Sequence, residues 1–68
     1  MKIEEAIKQR RSRLNITQND LAEFADVGVS TIKDLERGKG NPSVSTLQKI
    51  LEVLGLEMRI EVKSDWNR

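Results

Sequence analysis

Four side chains in the middle of the chain carry groups that suit contacts with the edges of nucleic-acid bases; they are Val29, Ser30, Lys33 and Asp34. Helical spacing places them opposite the apolar residues Ile32 and Leu35. A branched apolar group packs on a thymine methyl, a hydroxyl bonds to several bases, an ammonium donates to guanine, and a carboxylate accepts from cytosine. The pattern predicts a base-contacting helix face, although an ordinary solvated face can have the same composition.

The sequence contains no comparable set of residues suited to catalysis. The sequence contains no cysteine and no histidine, which excludes imidazole-based triads, thiolate metal sites and ordinary zinc sites. It has no glycine-rich phosphate loop and no nucleophile paired with a base. The acidic side chains of the predicted helices are spaced as surface charges; they are Asp20, Glu23, Asp34 and Glu36. We therefore expect no enzyme, no catalytic residue, no metal site and no cofactor.

Length and composition predict one small folded domain. The chain has 68 residues, of which 37% are hydrophobic and 34% are charged. A domain of this size buries only about 60% of its unfolded surface, so its stability is marginal and oligomerisation is favoured. No apolar run is long enough to cross a membrane, and the first residues lack the apolar core of a secretory signal. We expect a cytoplasmic protein without a membrane partner.

Hydrophobic periodicity predicts four helices followed by one strand. The helices are expected at about 3–14, 18–25, 29–37 and 45–54, and the strand at about 56–63. Thr17 with Asp20, and Ser45 with Gln48, have the spacing of helix capping boxes. The elements that position the four candidate side chains are therefore mainly α-helical.

The predicted strand has no partner strand within the chain. Its apolar positions alternate with polar ones and are Leu56, Met58, Ile60 and Val62. A lone strand leaves backbone donors and acceptors unpaired along both edges. The simplest partner is a second copy of the same strand, paired antiparallel across a two-fold axis. We therefore predict a homodimer interface at these four residues. The alternative is that the segment folds back on its own domain.

The segment from the second to the fourth helix resembles a known family. A tight turn at residues 26–28 joins two short helices, as in a helix-turn-helix. Between residues 16 and 47, the stretches ITQ, LAE, ADVGVSTI, LERG, NPS and TL are spaced as in the Cro and phage-repressor type of DNA-binding domain, also called Xre-like. The similarity covers about residues 3–55. The following segment, LGLEMRIEVK, resembles the HipB type of antitoxin within that family.

Two positions depart from the family pattern. Asp26 stands in the turn where the family commonly has glycine, and aspartate tolerates the left-handed backbone conformation. Gly28 stands at the N-cap of the third helix, where the family usually has serine or threonine. The second departure removes a hydroxyl that could contact a phosphate, and neither departure conflicts with the fold.

The resemblance implies a compact four-helix repressor domain with one C-terminal strand that pairs across a homodimer. It also implies sequence-specific binding to double-stranded DNA, with helix 29–37 in the major groove at each half of an inverted repeat. The alternative is an antitoxin that neutralises a HipA-like kinase by direct binding and represses its own operon. Phosphate contacts are expected from the basic first helix, the start of the second helix and the loop after the third; these residues are Arg10, Arg13, Thr17, Gln18, Lys39, Gly40, Asn41 and Ser43.

Other positions have structural or partner-binding interpretations. In the resembled family an arginine at the position of Arg11 pairs with a glutamate at the position of Glu36, which implies a partly buried structural ion pair. The alternative is an exposed pair of little weight. Phe24 is expected in core or dimer packing, or else exposed to a partner. The domain is expected to span residues 1–63, followed by a flexible tail at 64–68. In that tail Trp66 either anchors a partner protein or belongs to a disordered end.

Overall fold

Four α-helices make up most of the described chain. The computed structural model describes residues 2–63, and its helices are α1 (Ile3–Arg13), α2 (Gln18–Ala25), α3 (Val29–Glu36) and α4 (Val44–Val53). Each bound lies within one residue of the bound expected from the sequence. None of these four helices is both long and apolar enough to cross a bilayer.

Local chemistry explains where α1 ends and where α2 begins and ends. Asn15, just after α1, has a positive φ of 57°, a conformation that asparagine tolerates. Thr17 then caps α2 in a full capping box: the backbone N–H of Asp20 donates to Thr17 Oγ1 at 2.9 Å, and the backbone N–H of Thr17 donates to Asp20 Oδ2 at 2.9 Å. Asp26 ends α2 in the left-handed conformation, with φ 57°.

The start of α4 differs from the prediction by one residue. The N-cap is Ser43 and not the expected Ser45, because Val44 already has helical geometry. The backbone N–H of Thr46 donates to Ser43 Oγ at 3.1 Å. Ser43 thereby satisfies the N–H of Thr46, whereas the expected Ser45 cap would have satisfied that of Gln48.

The core lies between the four helices. Helix α2 packs against α3 and α4, and α1 packs against α3. Nine apolar side chains form the buried cluster: Ile7, Leu21, Ala22, Ala25, Ile32, Leu35, Ile50, Leu51 and Leu54. Helix α2 thus lies at the centre of the packing, and α3 is held by one face only.

Gly38, just after α3, is expected to resist substitution. Its φ is +74°, and a Cβ atom there would lie 2.9 Å from Glu4 Oε2. We expect Gly38→Ala to lower the free energy of unfolding by about 1–2 kcal/mol, because alanine is strained at positive φ. Urea unfolding followed by circular dichroism measures this. Gly28→Ser is the matched control, because Gly28 has φ −70° at an N-cap that serine favours. Equal losses in both variants would contradict the argument.

Residues 56–63 leave the helical domain after Gly55. The backbone N–H of Leu56 donates to Leu51 O at 2.8 Å, and the Leu56 side chain packs partly on the core. Beyond it, Met58, Ile60 and Val62 are exposed. The segment forms neither helix nor strand in this single chain. The predicted strand requires a second chain and stays a prediction, while the predicted tail at 64–68, with Trp66, lies outside the described residues.

Candidate nucleic-acid interface

Helix α3 presents a partly exposed face opposite its buried side. Ile32 and Leu35 are buried in the core, whereas Ser30 and Lys33 are exposed. Val29 differs from the expectation of an outward side chain, because it is half-buried and packs against the core cluster. The exposed face of α3 therefore offers a hydroxyl and an ammonium, with only part of the Val29 surface beside them.

The turn between α2 and α3 sets the direction of this face. The left-handed Asp26 lets the backbone N–H of Val27 donate back to Ala22 O at 3.0 Å. Val27 packs partly on the core. Gly28 then caps α3 without a side-chain hydrogen bond. Two short helices are thereby joined by three residues, which places the N-terminal end of α3 at the surface of the domain.

An ion pair ties the far end of α3 to α1. Arg11 Nε donates to Glu36 Oε2 at 2.7 Å, and Arg11 Nη2 donates to Glu36 Oε1 at 2.9 Å. Arg11 Nη1 also donates to Ile16 O at 3.0 Å. The Glu36 side chain is only 3% exposed and that of Arg11 is 20% exposed. The pair is therefore bidentate and largely removed from solvent, unlike an exposed surface pair.

The protonation of this pair follows from its partners. Burial would raise the pKa of Glu36, but hydrogen bonds from Arg11 and Gln18, together with the positive charges of Arg11 and Lys8, outweigh burial and lower that pKa. The hydrogen bond to Glu36 raises the pKa of Arg11 against the opposing effect of burial. Both side chains are therefore held in their charged forms.

The polar side chains at the start of α2 form hydrogen bonds within the domain. The Gln18 amide, expected at a phosphate, donates through Nε2 to Glu36 Oε1 at 3.1 Å. The Thr17 hydroxyl, expected there too, accepts the capping hydrogen bond from Asp20. Both side chains thus have structural partners, and the free backbone N–H groups at this helix end remain the groups suited to an anion.

The two basic candidates on α1 differ in placement. Arg10 Nε donates to Leu54 O at 3.0 Å, so its guanidinium caps the C-terminal end of α4. Arg10 thus has a partner within the domain, and its expected phosphate contact stays a prediction. Arg13 is exposed at the last turn of α1, so its charge is available to an external anion.

The loop after α3 forms a shallow groove with that helix. The backbone N–H of Lys39 donates to Asp34 O at 2.7 Å, which holds the loop against α3. The groove is lined by Thr31, Asp34, Leu35, Lys39, Gly40, Asn41 and Pro42. Three of the expected phosphate-contacting residues, Lys39, Gly40 and Asn41, therefore lie together beside α3. The fourth residue of the loop set, Ser43, is exposed but caps α4.

Sequence reasoning missed two residues on this surface. Thr31 lines the groove, and Arg37 Nη2 donates to Asp34 Oδ1 at 2.6 Å. The spacing of three residues between Asp34 and Arg37 was the available signal, since side chains at that spacing meet on one helix face. The Asp34 carboxylate, expected at a base, is therefore paired within the chain.

Comparison with known proteins then places the chain in a family. Residues 7–60 match the family described as helix-turn-helix. The chain belongs to this helix-turn-helix family. Its membership confirms the expected resemblance to the Cro and phage-repressor type. The matched region is a helix-turn-helix domain and not an enzyme, as expected.

Curated relatives include repressors and regulators. The immunity repressor protein of Bacillus phage phi105 is 38% identical over 58 residues, which are 85% of this chain and 40% of that protein. The HTH-type transcriptional regulator DdrOP3 of Deinococcus deserti is 36% identical over 56 residues, which are 82% of this chain and 43% of that protein. The chain thus spans less than half the length of these two relatives.

Solved structures of SinR share the fold of this helix-turn-helix chain. The crystal structure of SinR in complex with DNA, where SinR is described as the master regulator for biofilm formation, superposes with a TM-score of 0.74 at 35% identity, covering 82% of this chain and 90% of that one. The structure of a SinR protein/SinI protein complex superposes with a TM-score of 0.73 at 36% identity, covering 81% of this chain and 54% of that one. These structures confirm the four-helix fold. The HipB-type resemblance stays a prediction.

Proposed function

We propose that this chain binds double-stranded DNA in a sequence-specific manner and acts as a transcriptional repressor. The observation that carries the proposal is that Ser30 and Lys33 are exposed on the outer face of α3, which the α2–α3 turn holds at the surface. A major groove about 12 Å wide admits one such helix. The relative SinR, whose structure contains DNA, has the same fold over most of this chain.

The proposal divides the interface into base and phosphate contacts. Ser30 and Lys33 contact base edges, and the exposed part of Val29 packs on a thymine methyl. Asp34 lies next to them on the same face. Phosphates are contacted by a second group, which positions the protein without selecting sequence; this group is Arg13, Lys39, Gly40, Asn41, Ser43 and the α2 N-terminus at Thr17 and Gln18.

The proposed binding unit is a cytoplasmic homodimer on an inverted repeat. Two copies of α3 then enter successive major grooves about 34 Å apart. Support comes from the C-terminal segment, whose apolar side chains at Met58, Ile60 and Val62 are exposed in the single chain. Alternating polar and apolar residues in this segment suit a strand that pairs with its copy.

Selection from a random pool of duplexes tests the proposal. We expect the full chain to enrich one inverted-repeat sequence. In fluorescence anisotropy titrations on that duplex, Lys33→Ala should weaken binding by about 1–3 kcal/mol and relax the sequence preference at one base pair. Lys49→Ala is the control, since Lys49 is an exposed lysine on α4. No enriched sequence, or equal effects of both variants, would contradict a base-reading α3.

A protein partner is the second candidate. Phe24 is exposed on α2 and lies beside Ala25 and Val53 in a shallow groove, an apolar surface that suits a protein contact. The alternative function is an antitoxin that binds a HipA-like kinase and represses its own operon. Size-exclusion chromatography of the chain mixed with such a kinase tests this. Separate elution of the two proteins would exclude the antitoxin function.

A further inference from the structure

An exposed ion pair marks the C-terminal end of α3. Arg37 Nη2 donates to Asp34 Oδ1 at 2.6 Å, and the two side chains are 63% and 45% exposed. Exposed pairs of this kind contribute little to folding stability. Asp34 nevertheless lies on the same helix as Ser30 and Lys33, and Arg37 is the C-cap residue of that helix, so both charges are close enough to a bound duplex to interact with its phosphates.

The length of α3 determines what this pair meets. Arg37 follows Val29 by eight residues, which at about 1.5 Å per residue is about 12 Å along the helix axis. When the N-terminal turn of α3 touches base edges at the floor of the major groove, Arg37 lies about 12 Å farther along the helix, toward the edge of the groove. The edges of the groove are the sugar–phosphate backbones of the two strands.

The backbone around Asp34 connects it to the phosphate-contacting loop. Lys39 N–H donates to Asp34 O at 2.7 Å, and a Cβ atom on Gly40 would lie 3.3 Å from Asp34 Cβ. Asp34 therefore lies between Arg37 on one side and the loop that carries Lys39 and Gly40 on the other. A carboxylate at this place is repelled by phosphates unless a cation compensates for it.

Resting on the proposed function, we infer that Arg37 contacts a phosphate and that Asp34 is the residue that positions it. A guanidinium has five N–H donors, and the hydrogen bond to Asp34 uses one of them. The remaining donors are free for a phosphate, and the restrained side chain loses less rotamer freedom on binding. Asp34 therefore supports a neighbouring contact and does not itself accept a hydrogen bond from cytosine.

A double-mutant cycle on the selected duplex tests the inference across a potassium chloride series. We expect Arg37→Ala to weaken binding about tenfold on all sequences and to reduce the salt slope by about one. We expect Asp34→Ala to weaken binding about threefold when Arg37 is present, although it removes a negative charge, and not to weaken binding in the Arg37→Ala background. Arg37→Lys should keep the salt slope and lose the dependence on Asp34.

The controls separate this inference from the proposed function. Thermal unfolding should be nearly unchanged in all variants, because the pair is exposed. Tighter binding of Asp34→Ala in both backgrounds, or a change of base preference at one position, would overturn the positioning role. An unchanged salt slope in Arg37→Ala would overturn the phosphate contact. If the wild-type chain selects no duplex, the proposed function itself fails. If it does, and Lys33→Ala relaxes specificity without coupling between Asp34 and Arg37, only this inference fails.

Discussion

Glu36→Gln is expected to lower the free energy of unfolding by about 3–5 kcal/mol, because it leaves the Arg11 guanidinium largely buried without a carboxylate. Arg11 loses the charge partner of two hydrogen bonds, at 2.7 and 2.9 Å. A domain of this size has a total stability of about 3–5 kcal/mol. The variant should therefore be largely unfolded at 25 °C, as measured by circular dichroism and urea titration.

Two comparisons show whether burial causes this loss. Arg37→Ala breaks an exposed ion pair of the same chemistry and should change stability by at most about 1 kcal/mol. The double variant Arg11→Met with Glu36→Leu replaces both charges by apolar groups and should recover most of the stability. If Glu36→Gln costs no more than Arg37→Ala, the Arg11–Glu36 pair acts as an ordinary surface pair.

The same carboxylate makes stability depend on pH. The folded-state pKa of Glu36 lies below its ordinary value, which is about 4.3 in an unfolded chain. The unfolded state therefore binds the proton first as pH falls. The contribution of Glu36 is fully present above the unfolded-state pKa and is lost as pH falls through the folded-state pKa. In urea titrations from neutral to acid pH, the Arg11→Met with Glu36→Leu variant should lose less stability than the wild type.

Sequence reasoning succeeded where the deciding interactions are local. The helix bounds follow from apolar spacing, and the Thr17–Asp20 capping box joins residues three apart. Such contacts form within a single turn, so the sequence contains both partners. Two serines near the start of α4 have side chains that can cap a helix. Ser43 is the cap and Ser45 is not, because the backbone already becomes helical at Val44.

The candidate interface was less predictable, because long polar side chains choose partners that only the tertiary fold brings close. Arg10 reaches a carbonyl 44 residues away in the sequence, and Gln18 reaches a carboxylate 18 residues away. The sequence predicts phosphate contacts for both from residue type and position along the helices, and it does not show these internal partners. Val29 shows the same limit for apolar groups. In a helix of only eight residues, the apolar spacing does not determine how deeply the first side chain is buried, and Val29 packs against the core.

Ile60→Glu is expected to convert a dimer of this chain into a monomer. Ile60 is 96% exposed and Val62 is 69% exposed in the single chain, and both fall on the apolar side of the alternating segment. In an intermolecular ribbon the two copies of this side meet each other or the helices, where glutamate would bury an uncompensated charge. Light scattering should show the mass halved, and affinity for a two-site duplex should fall at least about a hundredfold through lost avidity.

Val44→Glu is the matched control for this substitution. Val44 is also an exposed β-branched apolar residue. It lies in the first turn of α4, where a negative charge interacts favourably with the helix N-terminus. It should leave mass and affinity unchanged. If Ile60→Glu keeps the mass of the wild type and instead lowers its unfolding temperature, residues 56–63 fold back on their own domain. That result would contradict the intermolecular strand pairing, because residues 56–63 would then pack on the core of their own chain. Any dimer that binds two half-sites would have to form through a different interface.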